Sequence, residues 1–311
     1  MALIEARNLS LQRGDSSILQ QLSFELDPAS CVAVLGPPGA GKTALLRLIC
    51  GLERLSSGSL FVAGHSVASR PHAVKVCTTA VFGTTGVDPS LTVAENVSLH
   101  AALRKVPRQH RSGRAAELLH LFDLYEARDT LARRLSPGRR LRLAVVCGLI
   151  ARPALLLLDE VVSELDQAAL TTLRDCIAEL RSEAQTTVLC TSRSVTAVDF
   201  CDRIMVLWQG RLLALDTPEN LRQAGGPDIV IVRPVDDRLS AVRLRDRIGV
   251  AVDEEPDGTL SIRVRRGDET AAEVMEHFSA QVAAVHVRKP SLADVYNTIL
   301  NRAARQEGPD G

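Results

Sequence analysis

The stretch "CVAVLGPPGAGKTALLRLICGL", residues 31–52, decides the reading of this chain. Its first part is a continuously apolar, β-branched run, the pattern of a buried strand. A glycine-rich turn follows, and then apolar residues recur at helical spacing. Within it "GPPGAGKT" (Gly36, Pro37, Pro38, Gly39, Ala40, Gly41, Lys42, Thr43) matches the spacing G-x-x-x-x-G-K-[ST] in the context that makes the match specific, after a strand and opening a helix. Glycines let successive backbone N–H groups curl toward phosphate oxygens, and the helix N-terminus adds positive potential. Lys42 is placed for the β- and γ-phosphates of a nucleotide, and the Thr43 hydroxyl for Mg²⁺.

A second apolar run, "ALLLLDE" (154–160), ends in two acids. Asp159 at the end of a buried strand is placed to act on a magnesium shell. Its neighbour Glu160 is the candidate to polarise an attacking water. The interval between Lys42 and Asp159 is long for AAA+ ATPases, which the double proline otherwise suggests.

Around these motifs, continuously apolar strands alternate with helical patterns, which predicts an α/β domain with a largely parallel sheet. Two β-rich segments open the chain, "LIEARNLSLQ" and "LSFELD", joined by a polar turn at 13–17. Helical patterns dominate from about 93 to 150. Beyond them come a strand at 154–159, a helix near 167–181, a strand "TTVLCT", another helix, and the strand "RIMVLWQG". The pattern breaks near "RQAGGP" (222–227). From there the chain reads as strand "DIVIV", helix 238–247, strand "GVAVD", turn "EEPDG", strand "TLSIRVR", helix 268–278, strand "VAAVHVR", and a final helix from Ser291. This β-α-β-β-α-β order predicts a small α+β, ferredoxin-like accessory domain. The expected division is 1–222, a linker at 223–227, an accessory domain at 228–304, and a disordered tail at 305–311.

Bulk properties narrow the function. Lysine plus arginine equals aspartate plus glutamate at 37 each, so no general basic surface for nucleic acid is expected. Seven scattered cysteines without a Cys-x-x-Cys pair read as buried, reduced thiols, and the histidines lack metal-ligand spacing. "MALIEARNLS" does not read as a signal peptide, and the longest apolar runs are too short for a bilayer. Work at a membrane would need another chain to span it.

The material between the two nucleotide motifs resembles the nucleotide-binding domain of ABC transporters. "LSLQRGDSSILQQLSFELD" (9–27) is similar to that domain's opening antiparallel strands, and "VDPSLTVAENVSL" (87–99) to the segment after its Q-loop. "LSPGRRLRLA" (135–144) falls where its signature motif belongs. "SELD" (163–166) resembles the D-loop, with Asp166 as its acid, and "DRIMVLWQGRLLALDTPENL" (202–221) the stretch after the H-loop. "KPSLADVYNTIL" (289–300) resembles the end of ATPase subunits in the daunorubicin-exporter, ABC-2 branch; the same residues also read as a helix capped by Ser291.

The resemblance implies a P-loop NTPase of ABC type, with a mixed sheet in a RecA-like core and a helical subdomain at about 84–150. It implies ATP and Mg²⁺ as cofactors and a cytoplasmic chain attached to the inner membrane face through a permease subunit. It also implies dimerisation, with itself or with a second ABC ATPase chain, because in this family each ATP lies between one chain's P-loop and its partner's signature loop. In that loop Ser136 is the expected N-cap, Pro137 takes the first helical position, and the N–H groups of Gly138 and Arg139 are expected free for the partner's nucleotide.

The signature loop departs from the family's Leu-Ser-Gly-Gly-Gln at Pro137 and Arg139, and three further positions depart from the family pattern. Arg13 stands where an aromatic stacks on adenine. Gly83 stands where a Q-loop glutamine couples magnesium to the membrane subunit. Ser192, or Arg193 if the register slips by one, stands where a histidine meets the γ-phosphate. Loss of one preorganised donor costs on the order of 10²–10³ in rate, so slow hydrolysis is expected unless Arg193 or a partner substitutes. Two functions stay open: an exporter's ATP-binding subunit, and a catalytically weak structural or regulatory subunit beside a second, active ATPase. A soluble ABC protein of ribosomes or DNA fits less well, since neither a second ATPase domain nor a coiled coil is seen.

Overall fold

The computed structural model describes residues 2–224, 227–235, 239–255 and 257–306. The chain forms two compact units, Met1–Asp216 and Thr217–Gly311.

In the first unit, β1 (Ile4–Arg13) and β2 (Ser16–Leu26) pair antiparallel, leaving only Gly14 and Asp15 in the turn. With β4 (Ser57–Val62) and β5 (His65–Ser66) they make a four-stranded sheet in the order β2-β1-β4-β5. A second sheet holds β3 (Cys31–Leu35), β6 (Thr78–Phe82), β7 (Leu155–Asp159), β8 (Thr187–Ser192), β9 (Arg203–Trp208) and β10 (Arg211–Asp216). Its order is β10-β9-β3-β8-β7-β6, parallel except for β10. β3 and β8 are fully buried; β3 is an unbroken apolar run, whereas β8 buries the hydroxyls of Thr187, Thr191 and Ser192 along with its apolar centre.

Helix α1 (Lys42–Ile49) joins the two sheets into one core. Its Leu45, Leu46, Leu48 and Ile49 are buried against residues of both sheets, including Ile4, Leu22, Val34 and Leu157. Each such side chain contributes about 1.5–3 kcal/mol by leaving water. Helix α2 (Pro71–Cys77) leads into β6. Helices α3 (Val93–Leu103), α4 (Arg108–Leu121) and α5 (Pro137–Leu149) fill the interval before β7. A short α6 (Val161–Glu164) and the long α7 (Gln167–Ala184) come after it. The helix expected between β8 and β9 is a single 3-10 turn, Thr196–Val198. Serine and threonine side chains there bond locally, Ser194 Oγ to Thr196 Oγ1 at 2.9 Å, and such bonds favour turns over helix propagation.

The second unit contains α8 (Pro218–Ala224), β11 (Asp228–Pro234), α9 (Ala241–Ile248), β12 (Val252–Glu254), β13 (Leu260–Val264), α10 (Gly267–Phe278), β14 (Val282–Arg288) and α11 (Leu292–Gln306). The antiparallel sheet runs β12-β13-β11-β14, the split β-α-β arrangement of ferredoxin-like domains. Val230, Val232, Leu244, Ile262 and Val274 make its own core.

The break falls six residues before the expected 222, because α8 packs on α11 and so belongs to the second unit. Of the expected linker, 223–224 are helical and 225–226 lie outside the described residues. Arg238, the expected start of α9, and Pro256 of the expected turn also lie outside them; described α9 begins at Ala241, capped by Ser240. The expected tail is corrected in part. Helix α11 continues through Arg305 and Gln306, and 307–311 lie outside the described residues. Among the described residues no helix is long and apolar enough to cross a membrane.

Candidate functional site

The loop between β3 and α1 is shaped by two glycines. A Cβ on Gly36 would meet the Leu207 carbonyl oxygen at 2.5 Å, so the loop passes the end of β9 only without a side chain. Gly41 has φ +99°, and a Cβ there would lie 2.6 Å from a Leu19 methyl. Gly41 is also the N-cap of α1 and brings no side chain to its first N–H groups. Those donors, with no acid in the first turn, form an anion-binding end.

Lys42 is buried at 6% exposure. Its Nζ donates to the Gly36 carbonyl at 2.7 Å and the Pro37 carbonyl at 3.3 Å, and lies 3.2 Å from Glu160 Oε1. The Thr43 hydroxyl donates to Asp159, at 2.8 Å from Oδ2 and 3.1 Å from Oδ1. The expected P-loop and strand-end acids are thus brought together by the pairing of β3 with β8 and of β8 with β7.

The sequence reading missed Thr191. Its hydroxyl donates to Asp159 Oδ1 at 2.7 Å and accepts the Glu160 N–H at 2.8 Å, clamping both acids. Only the strand pairing signals this role. Leu158 is opposite Cys190, which brings the next residues on β7 and β8 together. Glu160 itself sits at φ 58°, a left-handed conformation that costs a non-glycine residue about 1–2 kcal/mol. That turn aims its carboxylate back at Lys42.

A cavity of about 390 Å³ opens here, lined among others by Arg13, Gly41, Lys42, Thr43, Glu160 and Arg193. Arg13 forms an ion pair with Glu53, which Arg47 also approaches at 3.7 Å. A wider groove of about 900 Å³ lies over residues such as Ser10, Gln20, Ser57 and Arg211. Polar groups there engage one another, with Arg211 Nε donating to Gln20 Oε1 at 3.0 Å and Gln20 Nε2 to the Gln209 carbonyl at 3.0 Å. The smaller cavity carries the chemistry.

Other expected site residues sit apart from it. Ser136 caps α5 as expected, but its Oγ accepts the Arg139 N–H at 3.3 Å. This corrects the expectation that Arg139 keeps a free N–H, because the N3 donor is the one a serine N-cap normally satisfies. Asp166 caps α7 by accepting the Ala169 N–H at 3.0 Å, and Arg142 of α5 donates to it at 2.6 Å. These two bonds, the backbone one first, hold its carboxyl below the usual aspartate range. Gly83 comes after β6 at φ +54°, with no atom within 4 Å of where a Cβ would sit. Ser192 is fully buried at the end of β8 and does not line the cavity.

The sequence model for ABC transporters matches residues 19–163. The daunorubicin resistance ATP-binding protein DrrA2 of Streptomyces coeruleorubidus is 31% identical over 307 residues, covering 94% of this chain and 93% of that protein. The chain belongs to the ABC transporter ATP-binding proteins. Importer ATPases also match. The Fe(3+) ions import ATP-binding protein FbpC of Escherichia coli (strain K12) is 30% identical over 220 residues, 70% of this chain. The chain spans 63% of the length of that relative and 59% of the spermidine/putrescine import protein PotA of Haemophilus influenzae. Among solved structures, the ATP-binding subunit of an ABC transporter superposes with TM-score 0.67 at 24% identity, covering 71% of this chain and 92% of that one. The ATP-binding cassette MJ0796, a dimer bound to ADP and Pi, gives TM-score 0.63 at 21% identity over 69% of this chain and 98% of the other. These share the ABC ATPase fold. With the match to DrrA2, the fold reading and the resemblance to the daunorubicin branch hold for this chain.

Proposed function

We propose that this chain is the ATP-binding subunit of an ABC-2-type export complex. It binds Mg-ATP at a dimer interface, drives a separate membrane subunit, and hydrolyses slowly or with a partner's help. The observation that carries the export branch is the two-way coverage of 94% and 93% with DrrA2, which includes the second unit, whereas the match to the importer FbpC spans 70% of this chain.

In this reading the phosphates lie against the Gly36–Thr43 backbone, and Lys42 gives up its carbonyl contacts for phosphate oxygens. Thr43 and Asp159 present a hydroxyl and a carboxylate 2.8 Å apart, hard oxygen donors of the kind Mg²⁺ takes. The ion, when bound, offsets phosphate charge. Glu160 is the water-polarising base, and Arg13 faces the nucleotide in place of an aromatic. Ser136, Gly138 and Arg139 would face the partner's ATP, with Asp166 beside them. Coupling to a permease would pass the loop at Gly83. No nucleic-acid role is proposed.

Titration calorimetry tests binding: the intact chain takes up Mg-ATP, and Lys42→Ala does not. No heat from the wild type would end the proposal. A second reading, a weakly catalytic structural or regulatory subunit, is favoured by the burial of Ser192 away from the cavity. Glu160→Gln separates the two. Turnover that falls by 10² or more supports catalysis by this chain, and unchanged turnover of its complex supports the second reading.

A further inference from the structure

Ser192 cannot serve a nucleotide. Its hydroxyl donates to the Ser194 carbonyl at 2.8 Å, accepts the Ser194 N–H at 2.9 Å, and meets Ser163 Oγ at 2.7 Å. A hydroxyl has one donor and two acceptor positions, so all three are taken. Ser163 then donates its single proton to Ser192 rather than to Glu160 Oε2, 3.4 Å away. That oxygen of Glu160 is left to Arg193, whose Nε approaches it at 3.4 Å.

Arg193 differs from Ser192 in every respect that matters. Its side chain is 59% exposed, it lines the nucleotide cavity, and its two terminal nitrogens make no hydrogen bond among the described residues. The guanidinium is always charged and carries its donors in a fixed fork suited to phosphate oxygens. Across the cavity Lys42 holds the other oxygen of Glu160 at 3.2 Å. The acid is therefore held between two cations, one from the P-loop and one from the end of β8.

We propose that Arg193 is a catalytic residue that contacts the terminal phosphate of ATP, taking the position that Ser192 cannot fill and keeping Glu160 beside it. This rests on the ATP reading above. The added negative charge of a γ-phosphate draws the free end of the fork, while Nε keeps its hold on the carboxylate.

The test uses the full chain with Mg-ATP and Mg-ADP in calorimetry, together with single-turnover hydrolysis. Arg193→Ala lowers ATP affinity about tenfold or more, as expected for losing a charge-assisted bond, and leaves ADP affinity within about twofold. Any hydrolysis falls by about 10²–10³. Arg193→Lys recovers part of both effects, and added guanidinium restores hydrolysis to Arg193→Ala but not to Glu160→Gln. The proposal is overturned if the two affinities shift together, if neither shifts, or if Arg193→Ala hydrolyses faster than the wild type. A wild type that binds ATP without turnover is still judged by the ATP-to-ADP ratio. A wild type that binds neither nucleotide sinks the underlying reading instead.

Discussion

Glu160 and Gly83 occupy the same uncommon region of backbone space, at φ 58° and φ +54°, for opposite reasons. Glu160 is held there by bonds that compensate its strain, among them its N–H to Thr191 and its carboxylate to Lys42. Gly83 needs no compensation, and nothing crowds it. Gly83→Gln, which restores the family's residue, is expected to cost about 1 kcal/mol through left-handed strain without any clash. Chemical denaturation would show that loss. A cost above about 3 kcal/mol would mean that the loop is packed in a way the structure does not show.

At the level of elements, caps and close packing make separate predictions. Asp166 caps α7 and binds Arg142. Asp166→Ala should lose about 1 kcal/mol of capping at neutral pH, and Asp166→Asn much less, since asparagine caps equally well. If the two variants melt alike, the ion pair with Arg142 matters more than the cap. Gly148 lies inside α5, where alanine is normally better by about 0.5–1 kcal/mol. A Cβ there would meet a Val81 methyl on β6 at 2.6 Å, and a branched side chain within a strand has little room to yield. Overpacking of that kind costs about 1–3 kcal/mol. The clash therefore wins, and Gly148→Ala should lower the melting temperature despite its better helix propensity.

For the molecule as a whole, titrating groups set a stability window. Glu95, Asp166 and Asp294 are each held below the usual carboxylate range by hydrogen bonds, Glu95 from the Thr92 backbone and hydroxyl, Asp166 from the Ala169 N–H and the Arg142 guanidinium, and Asp294 from the Ser291 hydroxyl and backbone. Their stabilisation is present above the unfolded value of about 4 and is lost as pH falls through the lower folded values. Burial pushes the Cys147 thiol up to about 12 and Cys176 up to about 11, from 9.0. Their contribution is whole below pH 9.0 and disappears as pH rises toward 11–12. Urea midpoints across pH should trace both limbs. All seven cysteines are free, and Cys77 is the one not fully buried. A thiol reagent at pH 8 should label Cys77 first and the other six only on unfolding. Early labelling of Cys31, Cys190 or Cys201 would contradict the close-packed sheet.

Much of this protein was legible from local spacing. Gly36 to Thr43, Asp159 and Glu160 are defined by short intervals along the chain, and the physics of a phosphate loop is itself local. The accessory domain's element order was also readable, since each of its strands and helices keeps its own period. The reading passed over β4, β5 and β6: β5 has only two residues, and β4 and β6 are ordered by pairing with β1 and β7, which lie far along the chain. It could not assign Thr191, Ser192 or Arg193. Which of three neighbouring residues clamps the acids, which is spent on serines, and which faces the cavity depends on the parallel register of β7 with β8 and on the turn after it. Sequence spacing determines contacts made within a turn or two of backbone. Strand register is chosen by burial summed over whole sheets, and only the tertiary structure carries that sum.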